Sequence, residues 1–393
     1  MPTCHSWLTP SFPRGRNKTH FRRLNTTPHY EFINTPAQLP ALYAAIDRST
    51  ELAIDTEADN LFRYRTHLCL MQLLADNKIF LLDLLAGLPL DDLWPRLASR
   101  DLIMHGSDYD LRLLWGRCEF RPKYLFDTMF AAQLLSIPRF GLGSLLEQHF
   151  GVMLDKDNQR ANWSQRPLAR DLLDYAALDV FYLPALRDLL RAELVKLGRL
   201  AWLEQRCQWQ IIAARDGFPG PDENSWRIGG SEKLRGRGLT VLHAVWHWRE
   251  SWADKLDTPP FKVTGNEMMM RLARTAEDGL PAEEILRLNL GRRHERLFAS
   301  LAAAVRQGLA TDPHTLPRRE RRREFAPMTP DELDRQDRLK ADRDRIAHGL
   351  KLDPTLVATR SQLVLIARDP ACIDSALLPW QAELMKAEPA WKS

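Results

Sequence analysis

Four carboxylates and one phenol stand where a strand end and two helices can bring them together. Asp55 and Glu57 close the apolar run Leu52-Ala53-Ile54, and because side chains alternate along a strand, residues two apart share a face. Asp110 begins the helical stretch after Leu102-Ile103-Met104 and so approaches the same end of a sheet. Asp179 follows Tyr175 at the i,i+4 spacing that sets phenol and carboxylate side by side on a helix. An acidic cluster at a sheet end repels itself unless cations occupy it, and an all-oxygen donor set favours hard ions, Mg²⁺ or Mn²⁺, over zinc. Two such ions about 3.5 to 4 Å apart suit phosphodiester cleavage, one activating water and the other stabilising the leaving oxygen. Asp-x-Glu after a strand is by itself an ordinary turn; only the company of the other groups makes it chemistry.

The elements that must position these groups are legible as patterns. Leu52-Ala53-Ile54, Leu68 to Leu73 and Ile79 to Leu82 predict three short strands in a meander, with Asp76-Asn77 as the turn between the last two. A helical stretch through Leu93 and Leu97 precedes the strand Leu102-Ile103-Met104, which runs into His105-Gly106. Helical spacing returns at Leu111, Leu114 and Trp115 and again from Phe126 to Leu135. From Ala169 to Ile212 the pattern is helical, with Pro184 expected to break it. Asp216 to Asp222 and the stretch from Thr311 to Pro330, which holds Arg318, Arg319, Arg321, Arg322 and Arg323, read as linkers.

Composition narrows the class. The chain has 393 residues, 45% hydrophobic and 27% charged, an ordinary globular balance with room for two or three cores. No apolar run approaches the roughly 20 residues needed to cross a bilayer, so no membrane role is expected. Five well-separated cysteines supply neither a disulfide framework nor a neighbouring metal-ligand pair, which predicts a reducing, cytoplasmic setting. The net charge of +4 resides in residues 1–30, with five basic residues and no acidic one. That tail reads as disordered; a nucleic-acid arm, a transit peptide or an over-extended start are its alternatives, and its prolines oppose an amphipathic transit helix.

Taken together, the motifs resemble the DEDD exonucleases with a tyrosine in the third motif, and within them the ribonuclease D family. Asp55-Thr56-Glu57 is similar to the first motif, His105 to Asp110 to the second, and Tyr175 to Asp179 to the third; Phe126-Asp127-Thr128 and Trp163 to Leu168 match as flanks. The resemblance covers roughly Tyr30 to Leu200. It implies an α/β, ribonuclease-H-like fold with a mixed sheet flanked by helices, and 3′-to-5′ hydrolysis releasing nucleoside 5′-monophosphates. Asp55, Glu57, Asp110 and Asp179 then carry over as ligands of two divalent cations, with Asp55 the bridge and Tyr175 orienting the attacking water. Asp127 is expected to be structural, Asp108 to face elsewhere, and His105 either to pack beneath the site or to touch the scissile nucleotide.

Leu239 to Lys262, with Trp246-His247-Trp248-Arg249-Glu250 and Asp257-Thr258-Pro259-Pro260, resembles the HRDC domain, and Leu339 to Ala367 is a weaker echo of it. The expected organisation is a tail at 1–29, the exonuclease domain at 30–215, an HRDC domain at 216–310, a basic linker at 311–328 and a divergent, all-α HRDC-like domain at 329–393. The expected substrate is RNA 3′ ends, tRNA precursors or other structured RNA. A 3′-to-5′ DNA exonuclease and a non-catalytic RNA-binding or assembly protein are the alternatives, and the intact set Asp55, Glu57, Asp110, Tyr175 and Asp179 opposes the latter. The tryptophans Trp246, Trp248 and Trp252 are expected to pack before they stack on bases.

Overall fold

The protein is described by a computed structural model covering residues 28–155, 157–287, 297–317 and 327–388. The tail before residue 28 and the arginines at 318–323 lie outside the described residues. Six strands form one mixed sheet: β1 (Tyr30–Ile33), β2 (Glu51–Ala58), β3 (Leu68–Ala75), β4 (Lys78–Asp83), β5 (Asp101–Met104) and β6 (Tyr124–Asp127), in the spatial order β1-β4-β3-β2-β5-β6. β2, β3 and β4 make the antiparallel meander, and Asp76 and Asn77 both adopt the left-handed conformation that a tight hairpin requires. β1 pairs with β4, β5 with β2 and β6 with β5, all in parallel.

Alternation along the strands decides which residues meet the helices. Leu52, Ile54, Met71, Leu73, Phe80 and Leu82 share a core with Leu42 and Ile46 of α1 (Leu39–Arg48), Leu93 and Leu97 of α2 (Leu93–Ala98), and Leu111 and Leu114 of α3 (Asp108–Cys118). α4 (Thr128–Leu134) and α5 (Leu142–Phe150) add to the same cluster. The opposite parity, Ala53, Leu70, Leu81 and Ile103, packs with Trp163 and with Tyr175, Ala176, Ala177 and Val180 of α6 (Arg170–Phe181). Asp55 and Glu57 continue the parity of Ala53, so the strand aims both at α6.

One expectation changes in detail, and the expected break at Pro184 is present. The stretch from Phe126 to Leu135 is not helical throughout: Tyr124–Asp127 is β6, and α4 begins only at Thr128. A short run without helical length takes the state that its neighbour offers, here the open hydrogen-bonding edge of β5. The long helical span breaks ahead of Pro184, giving α6, α7 (Leu183–Lys196) and α8 (Leu200–Ala213); the proline occupies the first turn of α7, where a missing N–H costs no hydrogen bond.

After residue 216 the described chain is helical and builds two further cores. One gathers Trp226, Leu242, Val245, Trp246, Leu272 and Val305 between α9 (Gly236–Lys255) and the helices Asn266–Glu277 and Phe298–Ala310. Gly308 permits this crossing, since a Cβ there would lie 2.6 Å from the Val241 Cα. The other gathers Leu339, Ile346, Leu363, Ile366 and Met385.

Trp380 crosses the division between these cores. It joins the core of the sheet, stacked on Trp202 of α8 at 4.5 Å between ring centroids, and its backbone N–H donates to Gln205 Oε1 at 3.0 Å. Arg199 ties the same two regions by donating to the carbonyls of Leu134 and Leu350, each at 2.6 Å. Truncating a buried aromatic side chain leaves a cavity worth several kcal/mol. Trp380→Ala is therefore expected to destabilise the protein by about 3 kcal/mol, read as a lower urea midpoint. A loss below about 1 kcal/mol would mean that the terminal helices do not brace the sheet.

Candidate active site

β2 delivers two of the five groups and α6 two more. Carboxylate oxygens of Asp55, Glu57 and Asp179 all lie within 4.8 Å of one another, and this is the one such group of three His, Cys, Asp or Glu side chains among the described residues. A register shift between Glu57 and Ala58 places a bulge at this end of β2, the kind of irregularity that re-aims side chains at a site. Tyr175 stands one turn before Asp179 and is buried between it and the ring of Trp163, whose centroid is 6.3 Å away.

Asp110 stands slightly apart. It is buried in the first turn of α3, where the hydroxyl of Thr56, the residue between Asp55 and Glu57, donates to its carboxylate. It is outside the trio, yet its charge still acts on Asp55 and Glu57. Asp108 faces solvent and binds Arg112 and Gln210 instead.

The electrostatics follow from crowding. Burial pushes Asp55 well above the usual carboxylate range, and the charges of Asp110 and Asp179 add to it; Glu57 is raised in the same way by burial and then by Asp55, Asp179 and Asp110. Burial lifts Asp179 to about 8 against the pull of the Tyr175 hydroxyl, and Asp110 to about 6 against that of Thr56. The Tyr175 phenol is driven far above its ordinary value by burial first and by Asp179, Glu57 and Asp55 after it.

A divalent cation fits this donor set. The buried Oδ1 of Asp179 has no hydrogen-bond partner, and the carboxylates would exchange mutual repulsion for attraction to the ion. Asp55, Glu57 and Asp179 could hold such an ion between them.

The supporting shell is more specific than the sequence suggested. Asp127 is fully buried and accepts from the backbone N–H groups of Gly106, Ser107, Met129 and Phe130 and from the Ser107 hydroxyl, so it caps α4 and clamps the turn before α3. Gly106 is needed in that turn, with φ +70° and Met129 at 3.4 Å from where a Cβ would sit. His105 donates from Nδ1 to Thr128 Oγ1 at 2.9 Å, because that hydroxyl's own hydrogen goes to the Met104 carbonyl. Arg166 grips both oxygens of Asp83 and the carbonyls of Cys69 and Trp163, fastening the segment before α6 to β3 and β4.

Gln72 was not singled out by sequence reasoning. It lies opposite Asp55 on β3, fully buried, with neither amide atom partnered. Its signal was available as the one polar residue inside the run Leu68 to Leu74.

Comparison with known proteins agrees with this geometry. The 3′-5′ exonuclease family model matches residues 30–195. The ribonuclease D of Nitrobacter hamburgensis is 27% identical over 361 residues, covering 90% of this chain and 92% of that protein. The ribonuclease D of Zymomonas mobilis is 32% identical over 249 residues, 62% of this chain and 63% of that one. The crystal structure of Escherichia coli RNase D superposes with a TM-score of 0.69 at 24% identity, covering 92% of this chain and all of that one.

The raised carboxylates fix the sign of a pH effect. A carboxyl whose folded pKa exceeds its unfolded value near 4 binds more protons when folded, so stability falls as pH rises from the unfolded value to the folded one and is level above it. For Asp179 that value is about 8. The metal-free protein should therefore lose thermal stability progressively from about pH 4 to about pH 8 and level off above that, the part above about pH 7 lying clear of ordinary histidines. Asp179→Asn and added Mg²⁺ should each flatten that decline in a melting series, whereas an identical slope in all three samples would show that the carboxylates are not under charge stress.

Proposed function

We propose, for a chain that belongs to the ribonuclease D family of 3′-5′ exoribonucleases, that Asp55, Glu57, Asp110 and Asp179 hold two divalent cations, Mg²⁺ or Mn²⁺, with Tyr175 beside the attacking water. The convergence of three carboxylates within 4.8 Å carries this reading. When bound, the ions would neutralise the cluster, polarise the scissile phosphate and acidify water. Water adds to phosphorus, the bond to the 3′ oxygen of the preceding nucleotide breaks, that oxygen takes a proton, and a nucleoside 5′-monophosphate leaves.

The chain's own groups divide the remaining work. Asp55, with Glu57 two residues on along β2 and Asp179 across from it, would be the carboxylate to serve both ions. Asp110, held by Thr56, would add a fourth carboxylate to the donors of the second ion. Tyr175 stays protonated, because burial and three carboxylates oppose its ionisation; it orients water by a hydrogen bond and takes no proton from it. His105 presents Nε2 free, while its Nδ1 is committed to Thr128.

The helical regions support a substrate drawn from structured RNA, tRNA precursors included, and the organisation we favour is an exonuclease domain at 30–215 followed by HRDC-like domains at 216–310 and 329–393. The E. coli neighbour is described as an exoribonuclease involved in structured RNA processing. The first helical region meets the loop after β2 through Arg63 and Asp257 at 2.6 Å and through Tyr64 and Glu250 at 3.3 Å. A cleft of about 860 Å³ lined by Arg65, His67, Arg112 and Arg117 opens at this junction, with cations suited to a phosphate backbone.

Two substitutions test the assignment in different ways. Asp55→Asn should abolish nucleotide release from a labelled RNA oligonucleotide while leaving RNA binding intact, since affinity comes from phosphate contacts elsewhere. Tyr175→Phe should slow release by about ten- to a thousandfold at unchanged metal affinity. Activity of Asp55→Asn within tenfold of wild type would sink the site, and a Tyr175→Phe defect that vanishes at high Mn²⁺ would reassign the tyrosine to metal support. Matched RNA and DNA oligonucleotides in the same assay measure sugar preference.

A further inference from the structure

His243 and His247 lie one turn apart on α9, away from the carboxylate cluster, and their Nε2 atoms are 3.1 Å apart. Each ring is steadied by an indole edge, His243 by Trp226 at 5.0 Å and His247 by Trp246 at 4.9 Å, both close to perpendicular. The rings meet each other at 4.4 Å and 68°. Both nitrogens border a cleft of about 550 Å³ between α9 and the helix Phe298–Ala310, with Ser251, Gln307 and Thr311 in its wall.

The separation of the nitrogens matches a chelate. With metal–nitrogen bonds near 2.0 to 2.1 Å, two imidazoles on one ion lie about 2.9 Å apart at a right angle and about 3.3 Å apart in a tetrahedron. The observed 3.1 Å falls between these values. The i,i+4 spacing on one helix face is also the spacing of the two histidines in helical metal motifs. Partial desolvation lowers the pKa of both rings, with the facing imidazole and Arg227 adding to this at His243, so the neutral form that binds metal is favoured.

We propose that His243 and His247 form a second metal site, for a borderline ion of the Zn²⁺, Ni²⁺ or Cu²⁺ class, separate from the hard-ion carboxylate site. Imidazole selects these ions over Mg²⁺, just as the carboxylates select the reverse. Two protein ligands leave positions open toward the cleft for water or for an oxygen or nitrogen of a bound molecule. A bound ion would staple two turns of α9. That helix carries Glu250 and Asp254, and Asp257 follows it, the three acidic side chains that face Tyr64, Arg65 and Arg63 of the loop after β2.

The competing arrangement is a hydrogen bond in which one imidazole donates its Nε2–H to the other, and titration distinguishes the two. Full-length protein in saturating Mg²⁺, which occupies the carboxylates, is titrated calorimetrically with Ni²⁺ and with Zn²⁺. One tight site is expected, weakened more than about tenfold by His243→Gln and equally by His247→Gln, with the double variant no weaker than either. Copper added in place of nickel should give an electron paramagnetic resonance spectrum coupled to two imidazole nitrogens. His247 is exposed, so its variant tests the pair even if His243→Gln fails to fold. Equal Ni²⁺ affinity in wild type and His247→Gln, or a copper spectrum with one imidazole, overturns the proposal.

Discussion

Mutual repulsion among crowded, partly buried carboxylates is the constraint on which the rest of this structure depends. Asp55, Glu57 and Asp179 are held within 4.8 Å of one another, with Asp110 close enough to add its charge. Left to themselves such groups would separate or take up protons. They stay together because each is fixed by an element with reasons of its own to be there: β2 in the middle of a six-stranded sheet, α6 packed across it, and α3 leaving the end of β5. Affinity for divalent cations is the other side of this strain, since the free energy stored in repulsion is returned when a cation arrives.

Much of the polar chemistry near the site serves to hold those elements still. Asp127 gathers five donors at the junction of β6, α4 and the turn before α3, so a carboxylate that resembles a ligand is spent on four backbone N–H groups and the Ser107 hydroxyl. Arg166 does the corresponding work for α6 by binding Asp83 of β4, the Cys69 carbonyl of β3 and the Trp163 carbonyl ahead of the helix. Gln72, Trp163 and Asp179 keep buried polar atoms unpaired, which fits a site whose remaining partners are water, ions and substrate.

The helical regions are coupled to the sheet from two sides. Near the loop after β2 the contacts are ionic and partly exposed, the kind that salt weakens and that permit adjustment. At α8 they are aromatic, with Trp380 buried in the core of the sheet and stacked on the partly buried Trp202. One side is therefore a firm attachment and the other an adjustable one, and the arginine-lined cleft lies at the adjustable side.

Tyr175, Asp179 and the Asp55–Glu57 pair were legible in the sequence because their spacing is local: period two on a strand and one turn on a helix survive whatever the rest of the chain does. The meander and its Asp76-Asn77 turn were legible for the same reason. The strand β6 was misread within a helical stretch because four residues carry too little period to choose a state, and the open edge of β5 chose it. The tie of Asp110 to Thr56 spans 54 positions, the bonds of Asp127 to Gly106 and Ser107 span 21 and 20, and Trp380 meets Trp202 from a far more distant part of the chain. The sequence by itself determined which groups could do the chemistry. Only the tertiary structure decided which of them meet, because contact across such separations depends on how sheet and helices pack, and no local pattern encodes that distance.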